Sequence, residues 1–144
     1  MIGKEIIRSV NDNKLIGVKL LTEYEWDNIF SSVSQKFSDK NLPAYALWDR
    51  LNNHVGYYDD AGWIAISKII GNNPCILFIE HEKFGINLSN GATLNIILED
   101  TFGFVFYITD VNCDYLICFN DHNIVLACGN ATQWVNEYYQ NTKT

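Results

Sequence analysis

The chain has 144 residues, 48% of them apolar, with a net charge of −7; a domain of this length buries roughly 68% of its unfolded surface, enough for one core. The composition excludes a disordered segment, and Lys4, Glu5 and Arg8 among the apolar residues of positions 1–10 do not make a secretory leader. No apolar run exceeds Cys75 to Ile79, far below the roughly 20 residues of a membrane helix, so the expectation is one cytoplasmic domain over residues 1–144 with no membrane partner.

In chain order, residues 14–20 are expected as a strand. Thr22 and Glu25 have the spacing of a capping box, and Trp26, Ile29, Phe30, Val33 and Phe37 follow at helical intervals, which predicts a helix over 23–36. Pro43 suits the first turn of a second helix, with Ala44, Leu47, Trp48 and Leu51 on one face and an end near Asn52. A third helix is expected after Asp59 or Asp60, with Trp63, Ile66, Ile69 and Ile70 inward and Gly71 as its left-handed cap.

Beyond Pro74 the texture changes to short apolar runs between turn residues: 75–80, 84–88, 104–109, 114–119 and 124–128. The tight connections 110–113 and 120–123 predict that the last three runs form an antiparallel meander. Between the second and third runs, Ser89 or Asn90 starts a helix with Leu94, Ile97, Leu98 and Phe102 on one side and Gly103 at its end. A final helix opens at Asn130, with Gln133 at the capping-box position and Trp134, Val135 and Tyr138 on its apolar face. The fold class is α+β: N-terminal helices packed on an antiparallel sheet with a C-terminal three-stranded meander and a final helix.

Charge is distributed unevenly. Residues 1–72 hold eight basic and nine acidic side chains, whereas residues 73–144 hold two and eight. From Phe84 to Thr142 there is no Lys or Arg, yet Glu99, Asp100, Asp110, Asp114, Asp121 and Glu137 are present. Such a half repels nucleic acid and attracts a basic protein. The aromatic residues Phe102, Phe104, Phe106, Tyr107 and Tyr115 lack the interleaved cations of a stacking surface for single-stranded nucleic acid and are assigned to the core. Tyr57-Tyr58-Asp59-Asp60 is the best interface segment outside the acidic half.

Motifs for chemistry are sparse. Asn120-Asp121-His122-Asn123 puts a carboxylate and an imidazole on a predicted turn, but identifies no nucleophile or metal beside them. Glu80-His81-Glu82 would alternate faces on a strand and reads as a solvated hairpin end. The four cysteines at 75, 113, 118 and 128 have neither close metal-pair spacing nor a secreted disulfide pattern, and read as small buried hydrophobes. Neither a phosphate loop nor a dinucleotide fingerprint is present, and Ser31, Ser32 and Ser34 lack a nucleophile elbow. No cofactor, metal site or enzymatic activity is therefore expected. The alternatives are a small hydrolase or ligand-binding enzyme using Asp121 and His122, or a generic cytosolic regulatory protein.

The segment Tyr45-Ala46-Leu47-Trp48-Asp49-Arg50-Leu51, the Trp63 helix, Leu98-Glu99-Asp100-Thr101-Phe102-Gly103-Phe104 to Tyr107, and Tyr115-Leu116-Ile117-Cys118-Phe119-Asn120-Asp121-His122 through Gly129 to Trp134 together resemble a group of small bacterial proteins. Some of these resemble immunity proteins of contact-dependent growth inhibition systems. The resemblance covers about residues 45 to 136. It implies a protein that binds the C-terminal toxin domain of a delivered effector, often a nuclease, and blocks it in the producing cell; it supplies no catalytic residues. A basic cognate toxin domain is the expected partner. The expected partner-binding residues are Glu99, Asp100, Asp110, Asp114 and Asp121, followed by His122, Asp59 and Asp60.

Overall fold

Alternation along the strands assigns each side chain to one of two cores. The computed structural model describes residues 1–42, 45–101 and 103–142. The elements are α1 (Ile2–Asp12), β1 (Lys19–Leu20), α2 (Glu23–Phe37), a 3-10 helix (Leu47–Arg50), β2 (Val55–Tyr58), α3 (Gly62–Ile70), β3 (Cys75–Ile79), β4 (Phe84–Leu88), α4 (Gly91–Thr101), β5 (Phe106–Thr109), β6 (Tyr115–Phe119), β7 (Ile124–Gly129) and α5 (Ala131–Asn141). The seven strands form one sheet in the order β1-β4-β3-β5-β6-β7-β2, and every pair is antiparallel. The fold is α+β, and the expected meander is β5-β6-β7.

On β3, Cys75, Leu77 and Ile79 join Ile6, Ile66, Ile97 and Val135 in a core under α1, α3, α4 and α5. Ile76 and Phe78 point the other way, into a core with Trp26 and Val33 of α2 and Leu47 of the 3-10 helix. Both faces of the central strands are thus apolar and covered, which explains why their sequences read as continuous hydrophobic runs. Phe78 and Tyr107 stack across β3 and β5 at 5.1 Å.

The capping box of α2 is present. Glu25 N–H donates to Thr22 Oγ1 at 3.1 Å, and Thr22 N–H donates to Glu25 Oε1 at 2.9 Å; these bonds hold the Glu25 carboxyl below its ordinary range. The helix ends one residue beyond the expected boundary, at Phe37. α3 ends at Gly71 as expected, but with φ +60° and ψ −124° the glycine does not take the expected left-handed helical cap. Gly91 sits where a Cβ would lie 2.1 Å from the Ser67 carbonyl oxygen, so only glycine lets the start of α4 approach the end of α3.

Several expectations are corrected. The segment after Pro43 forms four residues of 3-10 helix, not an α-helix to Asn52, because its amides are taken by tertiary partners. Leu47 N–H donates to both Glu80 carboxylate oxygens, at 3.1 and 3.2 Å, and Trp48 N–H donates to Tyr107 Oη at 3.2 Å. Pro43 and Ala44 lie outside the described residues, as does Phe102. The 14–20 strand shrinks to Lys19–Leu20. The Phe104 and Asp114 runs begin pairing only at Phe106 and Tyr115. In α5, Asn130 makes no side-chain cap, and Gln133 Nε2 donates forward to Glu137 Oε1 at 2.8 Å, not back to the helix start. Ala131 and Val135 are its buried residues, while Trp134 is 39% exposed and meets Tyr115 edge-on.

Two elements have no counterpart in the sequence reading. α1 has no capping side chain of its own; its anion comes from a distant turn, where Glu82 accepts from Ile2 N–H at 3.1 Å and Gly3 N–H at 2.9 Å. The hairpin turn Glu80-His81-Glu82 is therefore no merely solvated end. β2 is a four-residue strand alternating between half-buried and exposed residues, paired with β7.

Because a carboxylate on the first amides of a helix satisfies orphan donors and complements the helix dipole, Glu82→Ala is expected to cost about 1–2 kcal/mol. Denaturant unfolding should show this as a lower midpoint. Hydrogen exchange should speed up in the first turn of α1 and stay unchanged in α2.

Candidate interaction site

Strand register brings distant segments to one end of the sheet. Ile79 pairs with Phe84, Phe106 with Phe119, and Tyr58 with Ile124, so the turns after β2, β3 and β6 lie together with the entry to β5. Asn120 sets the β6–β7 turn. Its Oδ1 accepts from His122 N–H and Ile124 N–H, each at 3.0 Å, and Asn123 takes a left-handed φ of +60°. That geometry projects Asp121 and His122 outward, where both are exposed. Asp59 N–H donates to the Asn123 carbonyl at 2.8 Å, and Gly62 N–H donates to the Asp59 carbonyl at 3.0 Å, which fixes the turn into α3 beside them.

Between these turns and the end of α4 opens a cleft of about 530 Å³, lined by carboxylates (Asp60, Asp121), carboxamides (Asn120, Asn123) and aromatic rings that include Trp63 and Phe104. Gly103, with φ +93°, lines the cleft two residues beyond the last residue of α4. No Lys or Arg is among the described residues that line it. At the same end of the sheet, where Trp48 packs on the opposite core, the His122 ring meets Trp48 edge-on at 5.7 Å, and exposed Tyr45 stacks on His81 at 5.6 Å.

The eight residues expected to bind a partner do not form one patch. Asp60, Asp121 and His122 share the cleft end. Asp59 is also there but is engaged: its Oδ1 accepts from Ala61 N–H and its Oδ2 from Tyr139 Oη at 2.7 Å. Tyr57 stacks on Tyr139 and donates to Asn136, so it joins β2 to α5 and is no free anchor, whereas Tyr58 is 73% exposed. Asp100 accepts from Ser9 Oγ at 2.7 Å and Asn13 Nδ2 at 2.9 Å, tying α1 to α4. Glu99, one residue earlier, is exposed and, among the described residues, accepts from Asn95 of its own helix. Asp110 and Asp114 lie at the opposite end of the sheet, where Asp110 Oδ1 accepts from Asp114 N–H. Lys36 reaches that turn and donates to the carbonyls of Asn112 and Cys113.

Sequence reasoning missed Trp63, Phe104, Asn120 and Asn123 as cleft residues, having assigned them to core or turn. Phe104 carried one signal: it is an aromatic residue just after a helix-ending glycine, a position outside any regular element. Asp121 lines the cleft, whereas His122 lies over Trp48, its Nε2 at 3.8 Å from Asp121 Oδ1. No Ser, Thr, Cys or Lys is among the described lining residues, whose ionisable side chains are the carboxylates of Asp60 and Asp121. Among the described residues no three His, Cys, Asp or Glu side chains gather to hold a metal ion. No helix among them is long and apolar enough to cross a membrane.

All four cysteines are buried free thiols. Burial pushes Cys75 up to about 12 and Cys128 up to about 11. It also raises Cys118 well above the ordinary thiol range, with Glu80 adding to the effect. Comparisons with protein-family models, with curated proteins and with solved structures found no match for this chain.

The carboxylates separate by role in a stability measurement. Asp100→Ala removes the shared acceptor of Ser9 and Asn13 and should lower stability by about 1–2 kcal/mol. Asp60→Asn and Asp121→Asn, which break no hydrogen bond among the described residues and at most the exposed 3.8 Å contact of Asp121 with His122, should stay within about 0.5 kcal/mol of the parent.

The thiols set a second expectation. The folded state favours neutral Cys75 and Cys128, so the stability they contribute is intact below the ordinary thiol value of 9.0 and declines as pH rises toward about 12. Equilibrium unfolding across that range should show the decline, and Cys75→Ala should make it shallower.

Proposed function

We propose that this chain is an immunity protein that binds a cognate toxin domain, of the kind delivered in contact-dependent growth inhibition, and neutralises it by direct protein–protein contact in the cytoplasm. The observation that carries the reading is the segregation of charge: the cation-free stretch from Phe84 to Thr142 forms β4, α4, the meander and α5. Among the described residues, Lys83 is the only lysine or arginine in an ion pair, and its partners are Glu23 and Asp27 on α2. Asp60, Glu99 and Asp121 are left exposed without such a partner.

Nuclease toxins need basic clefts for phosphate, and an acidic surface can occupy such a cleft while speeding encounter through long-range attraction. The exposed surface of 7900 Å² accommodates a standard interface of about 800 Å² per partner on one face. The cleft end combines free carboxylates with Tyr45, Tyr58 and Trp48, the aromatic types enriched at interface centres.

The test is co-expression with the C-terminal domain of the protein encoded immediately upstream. Growth should be rescued and the two chains should co-purify; toxicity in the presence of this chain, or free growth in its absence, would overturn the reading. With the complex in hand, charge reversal of Asp60 and Asp121 to Lys should slow association about tenfold at low salt and flatten its salt dependence. An association rate unchanged by every exposed-carboxylate reversal would remove the steering mechanism.

A further inference from the structure

We infer that the cleft between the α3 entry, the end of α4 and the β6–β7 turn is a receptor for one arginine side chain presented by a protein partner. The inference rests on the partner-binding reading above and names the group that this site takes. Four observations converge on a guanidinium. Asp60 and Asp121 are exposed carboxylates on the lining, and no lysine or arginine of this chain is among the described residues that share it. Trp63 and Phe104 put aromatic rings on the lining, and a planar, weakly hydrated cation packs on such rings better than an ammonium.

The third observation is the last turn of α4, whose Leu98 lines the cleft and which Gly103 follows. That turn contains no basic residue and carries Glu99 and Asp100. Carboxylates at the negative end of a helix dipole are unfavourable for the helix itself. Neither carboxylate is among the described lining residues, and Asp100 is engaged by Ser9 and Asn13, so what the cleft meets here is the negative end of the α4 dipole, with no cation of its own last turn to offset it. A cation entering beside Leu98 complements that helix end.

The fourth observation is Asn120, which is 3% exposed yet lines the cleft. Its Oδ1 is held by the backbone amides of His122 and Ile124, which turns its Nδ2 away from that turn; among the described residues Nδ2 donates to no acceptor. A free amine or metal ion offers this donor nothing. The peptide carbonyl adjoining an arginine does, and this favours an arginine within a polypeptide over a small cation.

The probe is N-acetyl-arginine methylamide, titrated into the isotope-labelled full chain and followed through the Trp63 indole N–H and the Asn120 side-chain amide. Saturable shifts confined to the cleft are expected, with a dissociation constant on the order of millimolar. The combined Asp60→Asn and Asp121→Asn variant should weaken binding about tenfold. The citrulline analogue, which has the same shape without the charge, should give no saturable shift, and the lysine analogue should bind several times more weakly.

Absence of saturation through the tens-of-millimolar range, an equal response to citrulline, or shifts centred on Asp110 and Asp114 would overturn the receptor. An equal response to lysine would overturn its guanidinium preference. The outcome is separable from the immunity reading. Toxin neutralisation without arginine binding moves the interface to another face, whereas arginine binding without growth rescue leaves the receptor and removes the toxin.

Discussion

A sheet that is apolar on both faces must be covered on both faces, and the β3–β4 hairpin is where the two coverings are tied down. Glu80 holds the 3-10 helix against one side through Leu47 N–H and Tyr107 Oη. Glu82, two residues on, holds the start of α1 against the other. Each carboxylate accepts from groups that would otherwise be unsatisfied at an element's start. The anchored 3-10 segment brings Trp48 to His122 and, just before it, Tyr45 to His81 at that end of the sheet.

Local signals were legible where the chain satisfies itself. Thr22 and Glu25 cap α2 within four residues, Gly71 ends α3, and the meander's turns sit between runs whose register follows from their alternation. What escaped depends on partners far along the chain. α1 takes its cap from Glu82, some eighty residues away, so no start signal exists at Met1. The 3-10 helix has an apolar pattern suited to an α-helix, but Glu80 and Tyr107 claim its first amides. β2 has only four residues, one of them Gly56, and is defined by its pairing with β7.

The acidic residues show the same division. Sequence identified the excess of charge and its location along the chain, but could not say which carboxylates the fold already uses. Asp59 and Asp100 hold helices in place, whereas Asp60 and Asp121 face a cleft. The distinction matters because an exposed carboxylate with no internal partner adds little to folding and is available for association. The cleft is formed by residues from four separate segments, and each of those residues has a sufficient local explanation as core or turn.

The sheet's two margins carry a consequence for how any partner engages this protein. One margin is β1, two residues long, and the other is β2, four residues long and interrupted by glycine. Margins this short present few unpaired main-chain groups, which guards against strand-to-strand stacking of copies and gives an incoming extended peptide little ladder to extend. Recognition is thereby directed away from the backbone at the sides of the sheet and toward side chains at the ends of its strands, where affinity depends on residue identity and can be retuned one substitution at a time without disturbing the ladder.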